Sequence, residues 1–157
     1  MKKQLLLFAF STLALTSCKD DNLRAYEMDI MKGDWKEVKT EIISGKDNKT
    51  VLKTILPEGC SAKNTLFFKT DFSTTYTAYD GNPDGTNCQI AAKNEGKYTY
   101  DADSKILNIQ LSGEDAGDMK FKVDMLTAQE LRLAPQYGNY DVDGDKVIDI
   151  TYITYKR

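Results

Sequence analysis

The residues of this 157-residue chain best suited to chemistry are acidic side chains gathered in glycine-containing loops. Asp141, Asp143 and Asp145 stand at alternate positions around Gly144, and Asp149 follows. Oxygen ligands at that spacing, with a glycine to permit the sharp turn, can converge on a calcium ion. Asp80, Asn82 and Asp84, ahead of Gly85, repeat the spacing more weakly. Both loops depart from the calcium-wrapping pattern at its twelfth position, where a bidentate glutamate is replaced by Ile150 in one and Ala91 in the other. Asp149 can stand in for it in the first, but strands rather than helices are expected on either side. The plainer reading is a pair of turns that use Asp, Asn and Gly for left-handed backbone and side-chain caps. The sequence leaves calcium open at both loops and commits to no metal and no cofactor.

The second chemical feature is at the start of the chain. Lys2 and Lys3 precede an apolar run from Leu5 to Leu15, and Thr16-Ser17-Cys18 follow. A positive segment, a short apolar core and small residues before a cut site are the parts of a secretory signal. The run falls short of the roughly 20 residues that span a bilayer. Leu15-Thr16-Ser17-Cys18 resembles the lipobox of bacterial lipoproteins. That resemblance implies a leader over residues 1–17, a diacylglyceryl group on the Cys18 thiol, and acylation of the freed amine by a chain such as palmitate. One acyl chain anchors marginally and two or more hold, at about 0.8 kcal/mol per buried CH₂. Lys19-Asp20-Asp21-Asn22 looks like the lysine-plus-acidic signal that sends some lipoproteins to the outer cell surface. The expected location is therefore the outer membrane, on the cell surface, with its periplasmic face second.

With Cys18 assigned to lipid, Cys60 and Cys88 remain as an even pair. Outside the cytoplasm such a pair is most simply a disulfide, one that removes about 3.5 kcal/mol of unfolded-state freedom. The rival is a metal site, which would want histidine or more cysteine. The chain has no histidine. Ser-His-Asp and Cys-His catalysis and His-ligated zinc or iron are thereby excluded as usually built. Glycine patterns for phosphates or dinucleotides are absent. A pair of glycosidase-type carboxylates stays formally open, but no catalytic residue is nominated and an enzyme is not expected.

The elements that would position these groups read as all-β. Without the leader about 140 residues remain, one ordinary domain. The formal net charge of −3 becomes more negative once Lys2 and Lys3 leave, which disfavours nucleic acid. Leu23, Tyr26 and Ile30, spaced three and four apart, predict a short amphipathic helix ended by Gly33. From Asp34 onward come short runs separated by turn residues. Leu107, Ile109 and Leu111 share one face, as do Phe121, Val123 and Met125, then Leu131 and Leu133, then Ile148, Ile150 and Tyr152. Such alternation means one buried and one wet face, as in antiparallel sheets. Residues 80–92 read as a loop. Eight or nine such strands must close or pair to hide their edges.

Gly33-Asp34-Trp35, at the junction of helix and first strand, resembles the opening of the lipocalins and of their lipocalin-like bacterial lipoprotein relatives. Leu126-Thr-Ala-Gln-Glu-Leu131-Arg-Leu133 looks like that family's late hairpin, and Cys60 and Cys88 bracket the strands around Phe67 and Tyr76. The resemblance implies an eight- to nine-stranded antiparallel up-and-down barrel over residues 30–157, with residues 18–29 as lipidated tether and start of the short helix. An immunoglobulin-type sandwich or another β-barrel is the runner-up, though such a sandwich would want its tryptophan between the two cysteines. The function implied is binding of a small apolar molecule. The alternative is a filled barrel serving as a surface interaction module, since eight strands can be packed by side chains or hold one small ligand. Trp35, Phe67, Tyr76 and Tyr98 are as well suited to core as to pocket. Ligand-binding residues and protein partners stay unassigned.

Overall fold

The computed structural model describes residues 20–112 and 117–157, with side chains from residue 25 onward. The leader over residues 1–17, Cys18 and Lys19 lie outside the described residues. The chain opens with a helix, α1 (Asp20–Met31). Nine strands follow: β1 (Gly33–Ile43), β2 (Val51–Ile55), β3 (Thr65–Phe68), β4 (Ser73–Asp80), β5 (Gln89–Asp101), β6 (Ile106–Leu111), β7 (Asp118–Leu126), β8 (Glu130–Pro135) and β9 (Ile150–Lys156). A 3-10 turn, Gly59–Lys63, separates β2 from β3. Among the described residues no helix is long and apolar enough to cross a membrane.

Every strand pairing is antiparallel, and each strand from β3 onward pairs with the next. β9 then pairs back onto β1 from Lys36↔Lys156 to Ile43↔Ile150, which closes the sheet. On its other edge β1 meets two partners in tandem. Its first half pairs with β3, Gly33↔Phe68 to Lys36↔Thr65, and its second half with β2, Thr40↔Ile55 to Ile43↔Val51. β2 and β3 are thus one barrel strand broken by the 3-10 turn. The result is an up-and-down barrel with one short helix, as expected. Closure satisfies the edge groups that an open sheet would leave bare.

The core occupies one end of the barrel. Trp35, Leu66, Phe68, Tyr98, Leu107, Ile109, Val123, Leu131 and Leu133 are buried there. Phe68 meets Tyr98 edge-on at 4.8 Å between ring centres, and the Tyr98 hydroxyl donates to the Lys69 carbonyl at 2.9 Å. Trp35 donates from Nε1 to the Met31 carbonyl at 2.7 Å, tying strand to helix. The Arg157 guanidinium lies 4.2 Å over the Trp35 ring and donates to the carbonyls of Ile30, Lys32 and Ala128. One cation thereby joins α1, the start of β1, the β7–β8 turn and the end of β9. Gly33 sits under that guanidinium at φ +113°, a conformation that side-chain-bearing residues resist.

Four local expectations are corrected. In α1 the face on the barrel is that of Met28 and Met31, while Tyr26 is 60% exposed. Glu27, on the same turn, accepts from the Tyr100 hydroxyl and pairs with Lys105, which rotates the helix away from the predicted stripe. Residues 89–92 belong to β5, because Asp80↔Gln89 and Tyr79↔Ile90 extend the β4 ladder and shorten the loop. Met125 pairs with Arg132 and faces out at 42% exposure, since a bulge at Asp124 shifts the register and turns Leu126 inward instead. In β9 the predicted faces are exchanged. Ile148 is exposed in the preceding loop, Tyr152 lies outside beneath Arg132 at 4.0 Å, and Ile153 and Tyr155 pack on the core.

Replacing Arg157 with Ala removes the contact with Trp35 and three carbonyl hydrogen bonds. Unfolding in urea should show a loss of about 2 kcal/mol, given the modest worth of each partly exposed contact.

Candidate functional site

The apolar core forms a floor, and the half of the barrel above it is lined differently. Alternation carries the inward face of each strand upward from the floor. From Tyr98 and Tyr100 it reaches Gly96, Asn94 and Ala92; from Leu107 and Ile109 it reaches Leu111; from Leu131 and Leu133 it faces Tyr155 and Ile153. Tyr76, opposite Leu66, points inward too. Tyr76, Leu111, Ile153 and Tyr155 pack on the core yet remain partly accessible. An inward side chain that keeps accessible surface lines a space that solvent reaches.

β1 contributes the least expected residue. Glu37 pairs with Tyr155 and Lys39 with Thr154, so Val38 is the extra residue of a bulge. Before the bulge Trp35 and Glu37 face in. After it, Thr40 pairs with the inward Ile153. Lys39 and Glu41 face out, where they form an ion pair at 2.9 Å beside Arg132 and Asp124. Glu37 accepts a hydrogen bond from the Thr40 hydroxyl at 2.8 Å. Burial first, then the Glu37 charge, push the Tyr155 and Tyr76 hydroxyls above their ordinary pKa. Asn64, at the end of the 3-10 turn, donates to the Tyr76 hydroxyl at 3.3 Å and opposes that rise. Two phenols and one carboxylate therefore share the space above the floor. Glu37 was not legible as interior, because strict alternation also groups it with Lys39 and Glu41.

Of the aromatic residues singled out by sequence, Trp35 and Tyr98 are buried in the floor. Tyr76 lines the interior. Phe67 pairs with Asp34 and Thr75 on the outer face, beside Gly33 and Thr70. Cys60 and Cys88 are joined by a disulfide that ties the 3-10 turn to the loop before β5. A Cβ on Gly81 would come within 2.7 Å of the Cys60 sulfur, so this glycine is required by close approach.

The two acidic loops differ. Asp84 accepts from the Thr86 amide and hydroxyl, and Asn82 donates to the same hydroxyl, a locally satisfied turn. Asp80 accepts from the Gly81 amide. In the second loop Asp141, Asp143 and Asp149 bring carboxylate oxygens within 4.8 Å of one another, while Asp145 is engaged by the Val147 amide. Three carboxylates could hold a cation there. Their oxygens already serve the backbone: Asp141 accepts from the amides of Gly144, Asp145 and Lys146, and Asp149 from those of Gly45 and Val142. These bonds, that from Lys146 foremost, hold Asp141 below the ordinary carboxylate range. The Asp145 amide favours the charged form of Asp143. Desolvation and the neighbouring carboxylates outweigh it, and the net displacement is upward.

Asp149 is 1% exposed and pins the loop to the β1–β2 turn. Changing it to Ala leaves two part-buried amides without this partner, and thermal or urea unfolding should show a loss of about 2 kcal/mol. The tyrosines set an alkaline limit. Tyr76, Tyr98, Tyr100 and Tyr155 all resist ionisation in the folded state, through burial first. The unfolded chain releases those protons near pH 10.0, so their contribution is complete below that value and falls as pH rises through the folded values. Denaturant midpoints should drop as pH rises above about 10, and Tyr155→Phe should flatten the drop.

Comparison with known proteins bears on the same residues. The described barrel is loosely similar to the bovine lipocalin allergen Bos d 2, at 16% identity and a TM-score of 0.39, over 83% of this chain and 74% of that one. No curated protein matches the chain. The model of the lipocalin-like domain matches residues 31–133, which take in Trp35, Glu37, Tyr76 and the floor up to Leu133. With that match over most of its length, the chain belongs to the lipocalin-like domain family.

Proposed function

We propose that this protein is a membrane-anchored extracytoplasmic lipoprotein whose barrel binds a small, mostly apolar molecule above the core. The observation that carries the binding role is the partial exposure of inward-facing Tyr76, Leu111, Ile153 and Tyr155. In a filled barrel those side chains would be sealed like Leu107 and Leu133, which are 0% exposed. Apolar walls with a few convergent polar groups are the usual composition of small-molecule sites. Family membership fits the same reading, as lipocalin-like domains are typically binding proteins rather than enzymes.

The anchoring role rests on the sequence of residues 1–22: leader, Cys18 as lipid carrier, and Lys19-Asp20-Asp21-Asn22 as a signal for the cell surface. The Cys60–Cys88 disulfide supports an oxidising compartment. A second reading, a surface interaction module, draws on the loop of residues 136–149, where Tyr137 is 72% exposed, Tyr140 66% and Ile148 58%. Exposed aromatic groups of this kind suit a protein contact.

Mass spectrometry of the mature protein from its host envelope tests both parts. The N-terminal peptide should begin at a lipid-modified Cys18, and a protease added to whole cells should remove the domain. Under native conditions a small molecule should leave on mild activation. A bare mass with no co-purifying molecule, from several preparations, would instead favour the interaction module.

A further inference from the structure

The charge inside the barrel narrows the chemistry of what it would hold. We propose that the interior site takes an amphiphile bearing a protonated amine, with Glu37 as its counter-ion. This rests on the reading of the interior as a ligand site.

Glu37 is the inward member of β1 just above the Trp35 floor, opposite Tyr155. Several other carboxylates of the barrel and helix have cations: Glu27 has Lys105, Glu41 has Lys39, Asp124 has Arg132 and Glu130 has Lys156. Among the described residues no lysine or arginine makes an ion pair with Glu37. Among the described residues its hydrogen bond comes from the Thr40 hydroxyl. An ionised carboxylate can accept at about four lone-pair sites, so most of its capacity is left for water or a ligand in the cavity. The bulge at Val38 produces this state by sending Lys39, two residues away, to the outer face.

A half-buried carboxylate without a cation is costly to desolvate. A neutral apolar occupant would impose that cost, and an anionic one would add repulsion. An ammonium group removes both penalties. The rings of Tyr76 and Tyr155 flank the same space and offer it a further attraction, since cations favour aromatic faces. Apolar Leu111, Ile153 and the core beneath suit the hydrocarbon part. The combination of one uncompensated carboxylate, two phenols and an apolar floor favours an organic cation over a fatty acid or an alcohol.

The test compares octylamine, octanol and octanoate on the mature protein at neutral pH by isothermal titration calorimetry. Octylamine should bind about tenfold or more tighter than octanol, with octanoate weakest. In Glu37→Gln, a nearly isosteric change checked by circular dichroism, the ratio of amine to alcohol affinity should collapse to within about twofold. Octanol binding as well as octylamine to the wild-type protein, or an amine preference that survives in Glu37→Gln, would overturn this inference and leave the carrier reading standing. If none of the three binds, the carrier reading itself falls and takes the inference with it.

Discussion

The constraint on which the rest depends is closure of the sheet on itself through β1 and β9. The ladder from Lys36↔Lys156 to Ile43↔Ile150 joins elements more than a hundred residues apart, and it is sealed at its lower end by Arg157 over Trp35. Without it both strands would present open edges, and the interior would have no inside. With it, each strand has a single face available for core, and the small-scale register decides which residues occupy that face. Closure by distant strands is entropically demanding, so the local contacts that stitch the closing point matter out of proportion to their size. Arg157 meets four segments at once, which explains how one exposed cation serves the helix, the tryptophan and two strand ends together.

The barrel then divides its interior between two tasks. At the lower end Trp35, Phe68, Tyr98 and the Leu and Ile residues of β6 and β8 pack with little accessible surface, and α1 covers them with Met28 and Met31. Polar groups there are tied down: Tyr98 to Lys69, Tyr100 to Glu27. Higher up, the inward residues become smaller or polar, as Gly96, Asn94, Ala92 and Thr40 show. A Cβ on Gly96 would fall 2.0 Å from the Gln110 carbonyl oxygen, so the close approach of β5 to β6 there requires glycine. The packed floor below and the smaller, more polar inward residues above follow from one alternating pattern whose inward residues change in size.

Bulges are the device that breaks this pattern where it counts. One at Val38 puts Glu37 inside and Lys39 outside; one at Asp124 sends Met125 out and Leu126 in. Each costs a ladder bond and re-aims side chains beyond it by one face. The loop of residues 136–149 adds a second layer outside the barrel, with the buried Asp149 carboxylate holding the amides of Gly45 and Val142. Its acidic residues serve mainly to shape backbone, as their many amide partners show.

What the sequence determined by itself was whatever depends on local pattern. Period-two alternation over Leu107–Leu111 and Leu131–Leu133 marked inward faces, turn residues marked strand ends, and Gly33-Asp34-Trp35 marked the family. The even pair Cys60 and Cys88 marked the staple between the broken second strand and the loop before β5. What tertiary structure alone decided was everything that depends on contacts and register between elements: the rotation of α1 toward Glu27, the exchanged faces of β9, and the place of Glu37 within the barrel. A bulge inserts one residue without any residue type that announces it, and it reverses every side chain that follows. Alternation can therefore say that a strand has two faces, while only its pairing partner can say which face looks inward.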